Sequence, residues 1–306
     1  AVTIGSVVLP APVMTASGTA GHGAELAPYF PLSQLGAVVV KSLAAYEWAG
    51  NPAPRVHTAG NGMINAVGLQ GPGVAAWLEH DLPALAATGA RVVASIWGRS
   101  VDDYRRAAEQ LAEASDSVVA VEVNLSCPNL EGRRGIFAHD AALSAEVIRA
   151  TAACGRPRWA KLSPNTDRVV EVAGAVHDAG AEAVTLVNTL LGMVLDPDTG
   201  RPALGAGGGG YSGTPIHAVA VRTIFDVRAA LPDLPIVGVG GVAAGWDAAE
   251  LLLAGANAVQ VGTATFDDPR AAIKVQQALL EWCARRSLSP SELSGLAHRG
   301  GLPPTG

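Results

Sequence analysis

The segment RWAKLSPNTDRVVEVAGAVHDAGAEAVTLV, residues 158–187, reads as one strand–helix–strand unit. Arg158–Leu162 is a short apolar run. Asp167–Ala179 opens after Thr166, carries helical spacing, and closes at Gly180, a residue suited to the left-handed C-cap position. Ala183–Val187 is a second apolar run. Nearly continuous apolarity, without alternation, is expected of strands covered on both faces in a parallel sheet.

Six further runs of the same kind flank this unit: Ala11–Ala16, Ala37–Val40, Val92–Ile96, Val119–Val123, Ile236–Val239 and Ala258–Val261. Helical patterns fall between most of them. Val101–Ser115 places Tyr104, Ala107, Ala108 and Leu111 on one face, with Ser100 and Asp103 arranged like a capping box. Pro215–Ala230 has proline near its first turn, Trp246–Ala254 ends at Gly255, and Asp268–Arg286 reads as a long terminal helix. Eight strands with alternating helices predict an α/β chain folded as a closed (β/α)8 TIM barrel, one domain over residues 1–306. An open doubly wound sheet of similar length is the competing architecture.

Two connections exceed a plain crossover. Ser42–Arg91 carries NPAPR and GNGMINAVGLQGPG before a helix near Val74–Thr88, and Leu190–Thr214 carries DPDTG and GAGGGGYSG. Long glycine-rich connections in a compact domain are usually functional loops, here expected as active-site insertions.

Hydrophobic residues make up 49 % and charged residues 16 %, a balance that supports a sizeable core rather than disorder. A net charge of −6 without basic runs gives no footprint for nucleic acid. No apolar stretch of about 18 residues suggests a membrane span, and the segment AVTIGSVVLPAPV lacks the pattern of a signal peptide. Three scattered cysteines argue against a disulfide framework and against a metal site. The expectation is a soluble, cytoplasmic protein.

On a barrel, function gathers at the C-terminal ends of the strands. The residues there are Ser17-Gly18, Lys41-Ser42, Ser95, Asn124, Lys161, Asn188-Thr189, Gly240-Gly241 and Gly262-Thr263, all polar, cationic or glycine. A buried lysine needs a partner, so Lys41 and Lys161 imply either core carboxylates or an anionic ligand. Glycines at the last two strand ends fit a phosphate cradle of backbone N–H groups. Gly238-x-Gly240-x-x-Ala243 and Gly205-x-Gly207-x-x-Gly210 match a dinucleotide fingerprint only formally, since the first lacks the downstream acid and the second follows no strand. A mononucleotide with one phosphate, such as FMN, is the better reading.

Cys154 and Cys283 read as small buried hydrophobes. Cys127 instead follows a strand, in a polar turn before Pro128, where a thiol can serve as general base. His22 and His139 could partner it in a hydrolase, but no third residue at a recognisable spacing supports acyl transfer.

Several motifs in order carry a resemblance: Met14–Gly18 (MTASG), Gly50–Arg55 (GNPAPR), Gly62–Gly73 (GMINAVGLQGPG), Asn124–Asn129 (NLSCPN), Lys161–Asn165 (KLSPN), Val187-Asn188-Thr189, Gly238–Gly241 and Gly262-Thr263. Over nearly its whole length the chain resembles the class 1 dihydroorotate dehydrogenases, FMN enzymes on a (β/α)8 barrel. The resemblance implies an FMN phosphate held by Gly213, Gly240, Gly241, Gly262 and Thr263, with Ser17, Ser42, Ser95, Asn124 and Val187 also against the cofactor. It implies Lys161 near the flavin N1/O2 edge and Lys41 where flavin and substrate meet. Orotate would be fixed by Asn65, by the backbone of Ala66, Val67, Gly68 and Leu69, and by Asn124, Asn129, Asn188 and Thr189. Cys127 would take the C5 proton while C6 gives hydride to flavin N5, with Lys41 as the second catalytic group.

The form of Gly62–Gly73 resembles class 1B, whose members pass electrons through a separate FAD/[2Fe–2S] subunit to NAD⁺ and whose catalytic chains form homodimers. Four features depart from the family pattern: Ser42 for glycine, Ser95 for asparagine followed by Trp97, Gly71 for the asparagine of LQNPG, and a basic loop after Cys127. Two competing readings are a dihydropyrimidine (uracil/thymine) dehydrogenase-type flavoenzyme and a non-catalytic flavin-binding electron-transfer barrel.

Overall fold

A computed structural model describes residues 1–126, 128–129 and 135–303. Eight parallel strands form one sheet: β1 (Val13–Thr15), β2 (Val38–Val39), β3 (Val92–Ile96), β4 (Val118–Asn124), β5 (Arg158–Lys161), β6 (Ala183–Leu186), β7 (Ile236–Val239) and β8 (Ala258–Val261). Consecutive strands pair from β2 through β8, and β8 pairs with β1. The seam between β1 and β2 is joined by Gly36 N–H to Val13 O at 2.8 Å and by Val39 N–H to Thr15 Oγ1 at 2.8 Å. The expected (β/α)8 barrel is the architecture the chain adopts, and every expected strand lies within a residue or two of its predicted bounds.

Among the described residues the α-helices are α1 (Val74–His80), α2 (Leu82–Ala87), α3 (Val101–Leu111), α4 (Ala141–Ala150), α5 (Val169–Asp178), α6 (His217–Ala230), α7 (Gly245–Ala254), α8 (Ala264–Asp267), α9 (Ala271–Ala284) and α10 (Pro290–Leu293). Ser100 caps α3 by accepting from Asp103 N–H at 3.1 Å, as its spacing predicts. The single helix expected near Val74–Thr88 is instead two, broken at Asp81. Pro83 accounts for the break, because its ring clashes with the carbonyl four residues back and it has no N–H to continue the ladder. The terminal helix expected over Asp268–Arg286 is α9, shorter by three residues at its start and two at its end, and the short α8 precedes it. Helix α4 escaped the sequence reading. Among the described residues no helix is long and apolar enough to cross a membrane.

Side chains alternate across each strand, so the barrel interior fills in layers. The lowest layer is apolar, with Met14, Val39, Val93, Ala120, Trp159, Ala183, Val237 and Ala258 each supplied by a different strand. A hairpin of Val2–Ile4 against Val7–Leu9 closes this end, and Ile4 and Leu9 are fully buried in the same cluster. Two residues further along the strands the interior turns polar, with Ser95, Glu122, Lys161, Thr185 and Gln260 all buried.

The two long connections meet above the mouth. Val56–Ala59, Gly62–Asn65, Gly209–Gly213 and Leu190–Gly192 build one antiparallel sheet in which Gly62–Asn65 pairs with Gly209–Gly213. Gly209 and Gly210 permit that approach, since a Cβ at Gly209 would stand 2.4 Å from Asn65 O.

Candidate active site

Between the strand ends and this upper sheet lies a cavity of about 1060 Å³. Each barrel strand delivers its expected rim group to it or just behind it. Lys41, Asn124, Lys161, Asn188 and Thr189 line its floor and one side, and Asn65 through Leu69 line the loop wall opposite. Gly213, Gly240, Gly241, Gly262 and Thr263 gather at one end, and Ser17, Ser42 and Val187 complete the wall. Ser95 lies behind that wall, fully buried, and reaches it through Ser42 at 2.8 Å and Ser17 at 3.3 Å. Cys127 lies outside the described residues, as does most of the basic loop that follows. Of Asn129 only the backbone is described, in a short pairing of Pro128–Asn129 with Gly135–Ile136.

Lys161 has the core carboxylate that one sequence reading anticipated. Its Nζ stands 3.4 Å from Glu122 Oε1, while Glu122 Oε2 accepts from Gln260 Nε2 at 2.8 Å and from Thr185 Oγ1 at 3.2 Å. Lys161 nonetheless lines the cavity, so the carboxylate pairs with the ammonium without removing it from reach. The sequence reading missed Glu122, although a charge in the apolar run two residues before Asn124 points to the same barrel interior.

The asparagines brace one another. Asn188 Nδ2 donates to Asn124 Oδ1 at 3.2 Å, and Thr189 N–H donates to Asn188 Oδ1 at 2.8 Å. Asn124 Nδ2 donates to Ser42 Oγ at 3.3 Å, and Tyr104 Oη donates to the Asn124 carbonyl at 2.6 Å. Asn165, from the KLSPN motif, holds the loop after β6 by donating to Thr189 O at 3.0 Å and accepting from Leu191 N–H at 2.9 Å. Two departures thus touch each other: the Ser42 and Ser95 hydroxyls form a bonded pair beside Asn124.

The wall from Ala66 to Leu69 is fixed by side chains the sequence reading passed over. Trp48 Nε1 donates to Gly68 O at 2.9 Å, and Asn51 Nδ2 to Ala66 O at 3.1 Å. Leu69 has φ +61°, a left-handed conformation that costs a branched residue energy and that these contacts maintain. Trp48 stacks edge-on with Trp97 at 6.5 Å, and the Arg99 guanidinium covers Trp48 at 3.6 Å. This packing gives the Trp97 departure a place in the fold.

His22 and His139 are half-buried, and burial lowers the pKa of both below the ordinary value, so the neutral ring is favoured. Neither lines the cavity, which gives no support to the hydrolase reading.

A barrel whose rim brings two cationic, several amide and several glycine groups into one cavity belongs to the class that holds an anionic ligand over its strand ends. Comparison with known proteins narrows this. The family described as dihydroorotate dehydrogenase matches residues 1–282. Similar proteins include a dihydroorotate dehydrogenase B (NAD(+)), catalytic subunit, of Desulforudis audaxviator, 44 % identical over 98 % of both chains. Proteins of the same description from Alkaliphilus metalliredigens and Trichlorobacter lovleyi are each 42 % identical over 94 % of both chains. The chain belongs to the dihydroorotate dehydrogenase family, a family of flavoenzymes, and its likeness is to the B-type catalytic subunits.

Proposed function

We propose that this chain is an FMN-bearing catalytic subunit, one barrel domain, that oxidises dihydroorotate to orotate in pyrimidine biosynthesis. The observation that carries the reading is one cavity in which Lys41, Lys161, Asn65, whose Nδ2 donates to Gly210 O at 3.3 Å, and the braced Asn124 and Asn188 face a glycine end across the barrel mouth. That end fits a phosphate: a Cβ on Gly241 would meet His217 Cβ at 2.7 Å and Gly213 O at 3.0 Å, so only bare backbone fits there.

Bound FMN supplies the acceptor for hydride leaving substrate C6. The chain's own groups do the rest. Lys161, held on Glu122, places a cation where negative charge gathers on the reduced ring. Lys41 offers a second cation to the substrate carboxylate. Asn65, Asn124 and Asn188 present both donors and acceptors to the ring imide, Asn129 is assigned to the same task by the family motif, and the backbone from Ala66 to Leu69 fixes its edge. Thr189 closes the same side. Cys127, assigned by the family motif, takes the proton from C5 as the C5–C6 double bond forms.

A uracil-type substrate lacks the carboxylate that Lys41 would meet, so the dihydropyrimidine dehydrogenase-type reading is not favoured. A non-catalytic barrel has no need for so complete a ring of braced amides. Onward transfer to NAD⁺ is assigned to a partner subunit carrying FAD and a [2Fe–2S] cluster, with a homodimer of this chain at the core and the cytoplasm as its location. The relatives' own description as catalytic subunits supports a partner. Among the described residues no cluster of histidine, cysteine or acidic side chains could hold a metal ion, and Cys154 and Cys283 are buried apart.

The test is the visible spectrum of the purified chain, before and after reconstitution with FMN. A yellow protein with little NAD⁺ reductase activity of its own is expected. A colourless protein that takes up no flavin would sink the reading.

A further inference from the structure

His217, the first residue of α6, makes two polar contacts beside the glycine end of the cavity that the reaction leaves unexplained. Its Nδ1 lies 2.8 Å from the Gly240 carbonyl oxygen, and its Nε2 lies 3.1 Å from Glu250 Oε2 on α7. A carbonyl oxygen only accepts, so the contact at Nδ1 assigns a proton to that nitrogen. Glu250 Oε2 is likewise only an acceptor, so it fixes the ring from its other side when Nε2 carries a proton as well.

The consequence lies in the peptide that His217 grips. Gly240 and Gly241 have φ +134° and +68°, and neither carries a side chain that could lock the loop by packing. The unit joining them is a trans peptide, so its C=O and N–H point in opposite directions. Anchoring Gly240 C=O on the imidazole therefore fixes the direction of Gly241 N–H. Gly241 lines the cavity, and among the described residues its N–H donates to no backbone or side-chain acceptor. A donor held in this way is pre-organised for an anion, because its orientation is set before the anion arrives.

We infer that His217, braced by Glu250, is a positioning residue that aims the Gly241 N–H at the phosphate of the bound flavin. It touches neither flavin nor substrate and acts only through the Gly240–Gly241 peptide. The inference rests on the assignment of this end of the cavity to the FMN phosphate.

The experiment removes flavin from the purified protein and titrates it back with FMN and with riboflavin, which has the same ring but no phosphate, following flavin fluorescence. His217→Ala is expected to weaken FMN about tenfold, the order of one lost charge-assisted hydrogen bond, while riboflavin affinity changes less than about twofold. His217→Asn, whose Nδ2 can replace the Nδ1 donor, restores most of the FMN affinity. Glu250→Gln gives an intermediate loss for FMN alone. Equal loss of both flavins, unchanged affinity for both, or an asparagine variant no better than alanine would overturn the assignment. Wild-type protein that binds neither flavin, or both equally, would overturn the cofactor reading and this inference with it, so the unmutated control separates the two failures.

Discussion

Lys161 Nζ stands 3.4 Å from Glu122 Oε1 at the floor of the cavity, where Glu122 is fully buried and Lys161 is 5 % exposed. Removing one member of such a pair leaves the other charge uncompensated. Glu122→Gln is therefore expected to lower stability by about 3–5 kcal/mol. Adding Lys161→Met should recover part of the loss, since partners in contact do not behave additively. Denaturant unfolding of the two single variants and the double variant measures this. A loss below about 1 kcal/mol for Glu122→Gln would mean that the ion pair is not what holds Lys161.

Trp48→Phe keeps the aromatic packing and removes the donor to Gly68 O. The loop wall should loosen around Leu69, raising KM for dihydroorotate several-fold with a smaller change in kcat, at a stability cost of about 1 kcal/mol. Steady-state kinetics with a thermal melt checks it, and an unchanged KM would detach Trp48 from the substrate wall.

Two glycine-to-alanine substitutions should behave oppositely. Gly241→Ala forces a Cβ to within 2.7 Å of His217 Cβ at φ +68°, and flavin should be lost during purification. Gly174, inside α5, has open space where its Cβ would go. Gly174→Ala is expected to stabilise the protein by about 0.5–1 kcal/mol, because alanine loses less backbone freedom in a helix. Bound flavin per chain and the melting temperature report the two effects.

The half-buried histidines set an acid limit. Burial lowers the pKa of His22 and His139 below the ordinary 6.5, so the unfolded chain binds protons that the folded chain refuses. Stability from these groups is complete above pH 6.5 and is lost as pH falls from there towards their folded values. Urea unfolding across this range should show stability rising with pH, with a shallower slope in His22→Gln. A slope unaltered by that substitution would remove His22 from the account.

The barrel was legible because buried parallel strands write nearly continuous apolar runs, and Arg158–Val187 displays the whole repeating pattern. The rim was legible for a related reason: Lys41, Asn124, Lys161 and Asn188 interrupt apolar surroundings at strand ends, where the fold gathers function. Glu122 was hidden although its alternation with Asn124 puts both inside the barrel, since one acid in a strand reads locally as an irregularity. The upper sheet was beyond local reading, because Gly62–Asn65 and Gly209–Gly213 are about 150 residues apart and no short-range pattern pairs them. The bracing by Trp48 and Asn51 was lost with it, since neither residue signals which backbone carbonyl it will meet.

The most direct test mixes the flavin-loaded chain anaerobically with dihydroorotate and, separately, with dihydrouracil, and follows the visible absorbance of the flavin. Dihydroorotate should bleach the wild-type flavin in a single turnover and dihydrouracil should not. Cys127→Ala should keep its flavin yet bleach on the order of 10²–10⁴-fold more slowly, the usual contribution of one general base. Bleaching by dihydroorotate at the wild-type rate in Cys127→Ala, or equal bleaching by both substrates, would contradict the account.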